Sequence, residues 1–188
     1  MQKIINRIAF LLLIILLISG MTMDVLGQRY IARNGYVRFF SEAPLEDIEA
    51  VNQEGLSIFQ TSSGKIAFTI PIEHFEFDKK LMQQHFNENY LESEKYPNST
   101  FQGEIVGFSA VSGKQELKAR GKLTLHGVTR EISVTGTGFQ EGDRIVLEAS
   151  FPIKLVDYNI KIPKVVMYNI AEEVEVTIKF EYVPYEEN

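Results

Sequence analysis

The run Val174-Glu175-Val176-Thr177-Ile178-Lys179-Phe180-Glu181-Tyr182 decides the fold class. Val174, Val176, Ile178, Phe180 and Tyr182 alternate with Glu175, Thr177, Lys179 and Glu181. This period of two sets an apolar face against a polar one, as in a strand buried on one side. Ile66, Phe68, Ile70 and Ile72 alternate in the same way, as do Ile145, Leu147, Ala149, Phe151 and Ile153. Leu117, Ala119, Gly121, Leu123 and Leu125 form a fourth such face, opposite Glu116, Lys118, Arg120, Lys122 and Thr124. Shorter strands are expected at residues 36–41, 56–61, 100–108 and 129–139. Together these make about eight strands, all after residue 35.

Most of the intervening gaps are too short for parallel crossovers. Ser62-Ser63-Gly64, Ser112-Gly113-Lys114, His126-Gly127 and Glu141-Gly142-Asp143 read as tight turns between antiparallel neighbours. Two gaps are longer, at residues 77–98 and 154–173. The first holds a helical patch in which Met82, Phe86 and Tyr90 share one face at i, i+4 and i+8. Asp78 is the expected N-cap of that helix, and Pro97 returns the chain to extended form. The second gap reads as a loop with one short helical turn around Asp157. The tail from Tyr185 is acidic and expected to fray. About eight antiparallel strands, each with one apolar face, close either as a two-sheet sandwich or as a barrel.

The chain has 188 residues, no cysteine and a net charge of −6. Residues 1–27 read as a secretory leader: Lys3 and Arg7 precede an apolar run at 8–18, and small residues end at Gly27. The run is short of the roughly 20 apolar residues that span a bilayer. The competing reading is an uncleaved anchor, against which Asp24 and the small-residue site argue. The expected organisation is therefore a leader at 1–27 and one domain at 28–188, exported to the periplasm or secreted. Without cysteine there is no disulfide framework, thiol nucleophile or thiolate metal site. An acidic domain with no basic run is not an expected nucleic-acid binder.

Catalytic patterns are missing. There is no Gly-x-Ser-x-Gly elbow, and Gly136-Thr137-Gly138 lacks both the third glycine and the following helix of a dinucleotide loop. Glu172, Glu173 and Glu175 flank a strand and read as a solvated face. Asn98-Ser99-Thr100 matches a glycosylation acceptor that an exported bacterial chain would not use. His74, His85 and His126 have no metal-ligand spacing, so no metal site is expected. No catalytic residue and no cofactor are expected. Thirteen phenylalanines and no tryptophan supply either a smooth apolar lining or an ordinary filled core. The candidates are Phe39, Phe59, Phe68, Phe75, Phe77, Phe86, Phe101, Phe139 and Phe151.

Two stretches resemble a known family. Leu81-Met82-Gln83-Gln84-His85-Phe86-Asn87-Glu88-Asn89-Tyr90-Leu91, followed by Tyr96-Pro97 and Phe101-Gln102-Gly103, is similar to the helix region of YceI-like proteins. Gly121-Lys122-Leu123-Thr124-Leu125-His126-Gly127-Val128-Thr129-Arg130 resembles the strand-turn-strand signature of the same family, and Phe68-Thr69-Ile70-Pro71-Ile72 matches as well. The resemblance covers residues 36–182. It departs at residues 41–56, a short acidic segment, and at 157–167, where Pro163, Val165, Val166 and Met167 stand. It implies an eight-stranded antiparallel lipocalin-like barrel with one helical insertion near residues 78–91 and a long apolar tunnel. It also implies non-enzymatic binding, sequestration or transport of a long-chain lipid or polyisoprenoid. The family has no settled catalytic residues to carry over.

Alternation and the helix face then give an expected lining of Phe68, Ile70, Phe75, Met82, Phe86, Phe101, Leu123, Leu125, Phe151 and Tyr158. His85, His126, Asn159 and Tyr168 are the candidates to meet a polar headgroup at the mouth. Transient contact with a membrane and a homodimer are both compatible with such a carrier. The alternative is a ligand-free structural or protein-interaction barrel packed solid with its own side chains.

Overall fold

Alternation closes into a barrel in the computed structural model, which describes residues 28–42, 47–161 and 172–186. The expected leader, Pro163, Val165, Val166, Met167 and Tyr168 lie outside the described residues. The strands are β1 (Arg29–Ser41), β2 (Ile48–Gln60), β3 (Lys65–Pro71), β4 (Asn98–Val106), β5 (Gln115–Leu125), β6 (Val128–Glu141), β7 (Arg144–Lys154) and β8 (Glu173–Pro184). Each pairs antiparallel with its neighbour in sequence, and β1 also pairs with β8. Closure removes the free edges that a sandwich would leave.

The four expected glycine turns all join adjacent strands. His126 (φ 49°) and Gly127 (φ 73°) are both left-handed. Such a two-residue hairpin suits the twist of its strands.

Two strands are longer than alternation suggested. β1 begins at Arg29 rather than 36, and β2 takes in most of the acidic 41–56 segment. The pairing of β1 with β2 shifts register between Ala32 and Gly35 and again between Gly35 and Val37. An extra residue flips the inward parity, so a strict period of two no longer covers either strand. Asn52 anchors the irregularity from inside. It is fully buried, donates Nδ2–H to the Pro71 carbonyl (2.7 Å) and accepts the Glu54 N–H (2.8 Å). Beyond β3 a 3-10 turn (Ile72–His74) carries the chain back to bond Val51 through Glu76.

One short helix, α1 (Lys80–His85), continues as a π turn (Phe86–Tyr90) in the β3–β4 connection. The cap position is Lys79, not Asp78, and no side chain caps it. Packing of Phe86, not end chemistry, holds the segment. The first residue of the tail is tied: the Tyr185 N–H donates to the Arg29 carbonyl at 2.8 Å.

The interior differs between its two ends. At the end carrying the β2–β3 and β7–β8 pairings of Phe59 and Tyr182, side chains fill the barrel. Phe59, Ile145 and Tyr182 are wholly buried there, and Phe108 meets Phe59 edge-on at 5.2 Å. The Ser57 hydroxyl donates to the Ala67 carbonyl (2.9 Å) and accepts the Tyr182 O–H (2.7 Å). Burial pushes the Tyr182 phenol far above its ordinary value, against a smaller lowering by the Ser57 bond.

Midway along the barrel two rings pack over glycines. Phe180 of β8 covers Gly35 of β1 and Gly55 of β2, where any Cβ at Gly35 would enter the ring. Phe101 of β4 covers Gly103 and Gly121, each of whose missing Cβ would come 2.8 Å from Cζ. Phe68 joins the two, stacked on Phe101 at 5.2 Å and tilted on Phe180 at 5.6 Å. Phe139, a sequence candidate for the interior, pairs with Val146 and is half-buried on the outward parity of β6.

Two outcomes are expected. Gly35→Ala should lower the unfolding free energy in urea by about 1–3 kcal/mol, the cost of overpacking. Pairing it with Phe180→Leu should recover part of that loss, and simple additivity would contradict the contact. The Tyr182 phenol is raised in the folded state, so its contribution is present below the unfolded value of 10.0 and is lost as pH rises above it. Above that pH, stability should fall by an extra ~1.4 kcal/mol per pH unit. Tyr182→Phe should remove that alkaline slope, as read from denaturation midpoints at a series of pH values.

Candidate functional site

Above the ring layer the barrel is hollow. A cavity of about 270 Å³ lies between the three-ring layer and α1. Its wall takes residues from the same ends of seven strands: Val37 and Phe39 (β1), Ile48 (β2), Ile70 (β3), Ser99 (β4), Leu123 (β5), Ile153 (β7) and Val176 (β8). Alternation explains the inward direction of each, and β8 shows the change of use along one strand. Val174, Val176 and Ile178 line the cavity, whereas Phe180 and Tyr182, on the same face, do not. Phe68 is part of the floor and also lines the space.

The lid is held by aromatic packing. Phe86 of the π turn sits 5.4 Å from Phe39 in a stacked pair, 5.0 Å from Phe77 and 5.5 Å from Phe75. Each such pair contributes about 0.5–1.5 kcal/mol beyond area burial. The wide turn is closed by the Leu91 N–H donating to the Phe86 carbonyl at 2.8 Å. Its i→i+5 spacing lets both Tyr90 and Leu91 reach the cavity. A strict i, i+4, i+8 pattern names Tyr90 and misses Leu91.

No Asp, Glu, Lys or Arg lines the space among the described residues, and the polar side chains are Ser41, His85, Tyr90 and Ser99. The Ser99 hydroxyl is turned to the wall, donating to the Thr124 carbonyl at 3.1 Å. Burial raises the Tyr90 phenol, keeping it a neutral hydroxyl. His85 is exposed on the lid. Among the described residues no cluster of three metal-ligating side chains occurs. This arrangement can shelter an apolar chain from water, and it offers neither a buried acid/base pair nor an activated nucleophile. Pockets with these properties take apolar bodies and fix them by few polar contacts.

The structure brings together nine of the expected residues on this wall: Phe68, Ile70, Phe75, Met82, His85, Phe86, Leu123, Leu125 and Phe151. Phe101, Tyr158 and His126 are not on it. Phe101 lies under the floor against its glycines, and Tyr158 is buried in the 3-10 turn Leu155–Tyr158. His126 is a clasp outside the cavity. Its Nε2 meets Glu92 Oε2 at 2.8 Å, its Nδ1 meets the Tyr158 carbonyl at 3.0 Å, and Tyr96 packs on its edge. Asn159 is an exposed left-handed residue (φ 57°) beside Ile160, which does line the cavity. The expected long tunnel is replaced by a chamber in one half of the barrel, because the aromatic layer closes the other half.

Comparison with known proteins follows the same outline. The YceI-like domain model matches residues 47–182. Protein YceI of Escherichia coli O157:H7 is 34% identical over 99 residues, covering 50% of this chain and 48% of the relative. YceI of Shigella flexneri matches to the same extent. The aligned part thus spans about half the length of these curated relatives. Among solved structures, a polyisoprenoid-binding domain from Saccharophagus degradans superposes with a TM-score of 0.72 at 17% identity, covering 84% of this chain and 98% of that one. Burkholderia cenocepacia BcnA superposes with a TM-score of 0.63 at 24% identity, covering 79% and 95%. At those identities the likeness is one of fold. The match in sequence, which extends from residue 47 to Tyr182 in β8, makes this chain a member of the YceI-like domain family.

Proposed function

We propose that this protein is a non-enzymatic binder that takes the apolar tail of an isoprenoid or related amphiphilic lipid into the hollow half of its barrel, for sequestration or transport. The observation that carries this is the chamber itself: lined by apolar side chains, free of charged wall residues among the described residues and covered on one side by a lid that bears the exposed His85. Burial of apolar surface supplies the affinity, at about 25 cal/mol per Å² removed from water. The fold shared with a solved polyisoprenoid-binding domain supports the choice of ligand class. The polar head stays at the lid, where His85 and Tyr90 offer hydrogen bonds. The leader pattern of residues 1–27 supports export, where a shielded carrier moves lipid through water.

A ligand-free structural barrel is the second reading, and the filled lower half favours it. Native mass spectrometry separates the two. Protein purified from its own host should carry a co-purifying lipid or take up an added prenyl chain. An empty protein that takes up nothing supports the structural barrel instead. Phe151→Glu places a carboxylate on the half-buried cavity wall. Burying that charge beside a hydrocarbon tail is costly. Lipid occupancy should fall by about tenfold or more, roughly 1.4 kcal/mol, with the strand signal in circular dichroism unchanged.

A further inference from the structure

We propose that the layer formed by Phe101, Phe68 and Phe180 is a chain-length gauge: it limits the enclosed part of a tail to the space above the layer and sends any longer remainder out past the lid. This rests on the binding function proposed above and adds to it the length of chain that the site accepts.

Three observations fix the floor. The chamber measures about 270 Å³, below the roughly 300–1,000 Å³ of pockets that enclose a whole drug-sized ligand. Phe68 lines its floor, and the two rings that back Phe68 have little room to swing. Phe180 is 1% exposed and lies on Gly35 and Gly55, while Phe101 is 3% exposed and lies on Gly103 and Gly121. Phe68 is wedged between them at 5.2 and 5.6 Å. Behind Phe180 stands Tyr182 at 6.0 Å, bonded to Ser57 and in contact with Phe59 at 5.9 Å. A tail pushing downward would have to displace a ring into a filled core, at overpacking cost. The glycines show why the layer is so complete. A side chain at Gly35 would drive Phe180 off the β1–β2 wall and leave the centre open. Strand glycines that admit a ring this closely mark a position of packing, not of flexibility.

The test is calorimetric titration of the full chain with prenol, geraniol, farnesol and geranylgeraniol. In the parent protein, affinity should climb by about fourfold per enclosed methylene and then level off within the series. From that point to geranylgeraniol it should change by no more than about threefold. Phe180→Ala should move the plateau one isoprene unit further along the series, with a gain of about tenfold at that step. Ile178→Phe, one step above the floor on β8, should raise it and cost geraniol about tenfold while prenol is retained. Parent affinities that keep climbing through geranylgeraniol overturn the gauge, as does an unmoved plateau in folded Phe180→Ala. If Phe180→Ala does not fold, Ile178→Phe decides, and undiminished geraniol binding there overturns the gauge. Binding of none of the four alcohols is a different failure, and it removes the carrier function itself.

Discussion

The contact between an aromatic ring and a pair of bare glycines governs the interior of this barrel. Phe180 can pack against β1 only because Gly35 carries no Cβ, and it also reaches Gly55 of β2; the tip of Phe101 comes over Gly103 and Gly121, where the close approach of the paired backbones excludes a Cβ as well. Strand glycines are usually a loss, since they contribute no packing and cost backbone entropy. Here the ring recovers that loss by covering two strands at once. The two glycine-seated rings also leave Phe68 a slot in the middle, so three side chains from three strands close the bore. Everything below is an ordinary close-packed core, and everything above is free for a guest.

The upper end is closed by a different device. α1 is only six residues long and has no side-chain cap, too short to persist by itself. Its position is set by Phe86 entering the Phe39, Phe75 and Phe77 cluster, and by the π turn that follows. His126 then ties the end of the lid segment, through Glu92, to the turn at Tyr158. Lid, hairpin and 3-10 turn are thereby linked by one imidazole that never touches the cavity. The outcome is a box with a rigid floor and a cover fastened at two points.

Much of this was legible in the sequence because period-two alternation is a direct consequence of strand geometry. The faces of β3, β5, β7 and β8 were readable from their residues, and the four glycine turns gave the antiparallel order. The beginnings of β1 and β2 were not, since register shifts beside Gly35 break the parity on which the reading depends. Alternation also gives the inward face of a strand without its height. Val176 and Phe180 share a face, and only three-dimensional packing makes one a wall and the other a floor. Phe101 was misplaced for that reason, Tyr158 because it lies in a 3-10 turn that alternation does not describe, and Leu91 was missed because a π turn departs from the α-helical period. His126 was recognisable as a hairpin residue, while its partners Glu92 and Tyr158 lie more than thirty residues away.

The division of one bore into a hollow half and a filled half is the claim on which the rest stands. Crystals of the protein pressurised with xenon test it directly, because xenon enters dry apolar cavities and avoids filled cores. The structure calls for xenon density among Ile70, Leu123, Phe151 and Val176, and none between Phe180 and Tyr182. Xenon on both sides of the Phe101–Phe68–Phe180 layer, or in neither half, would contradict it.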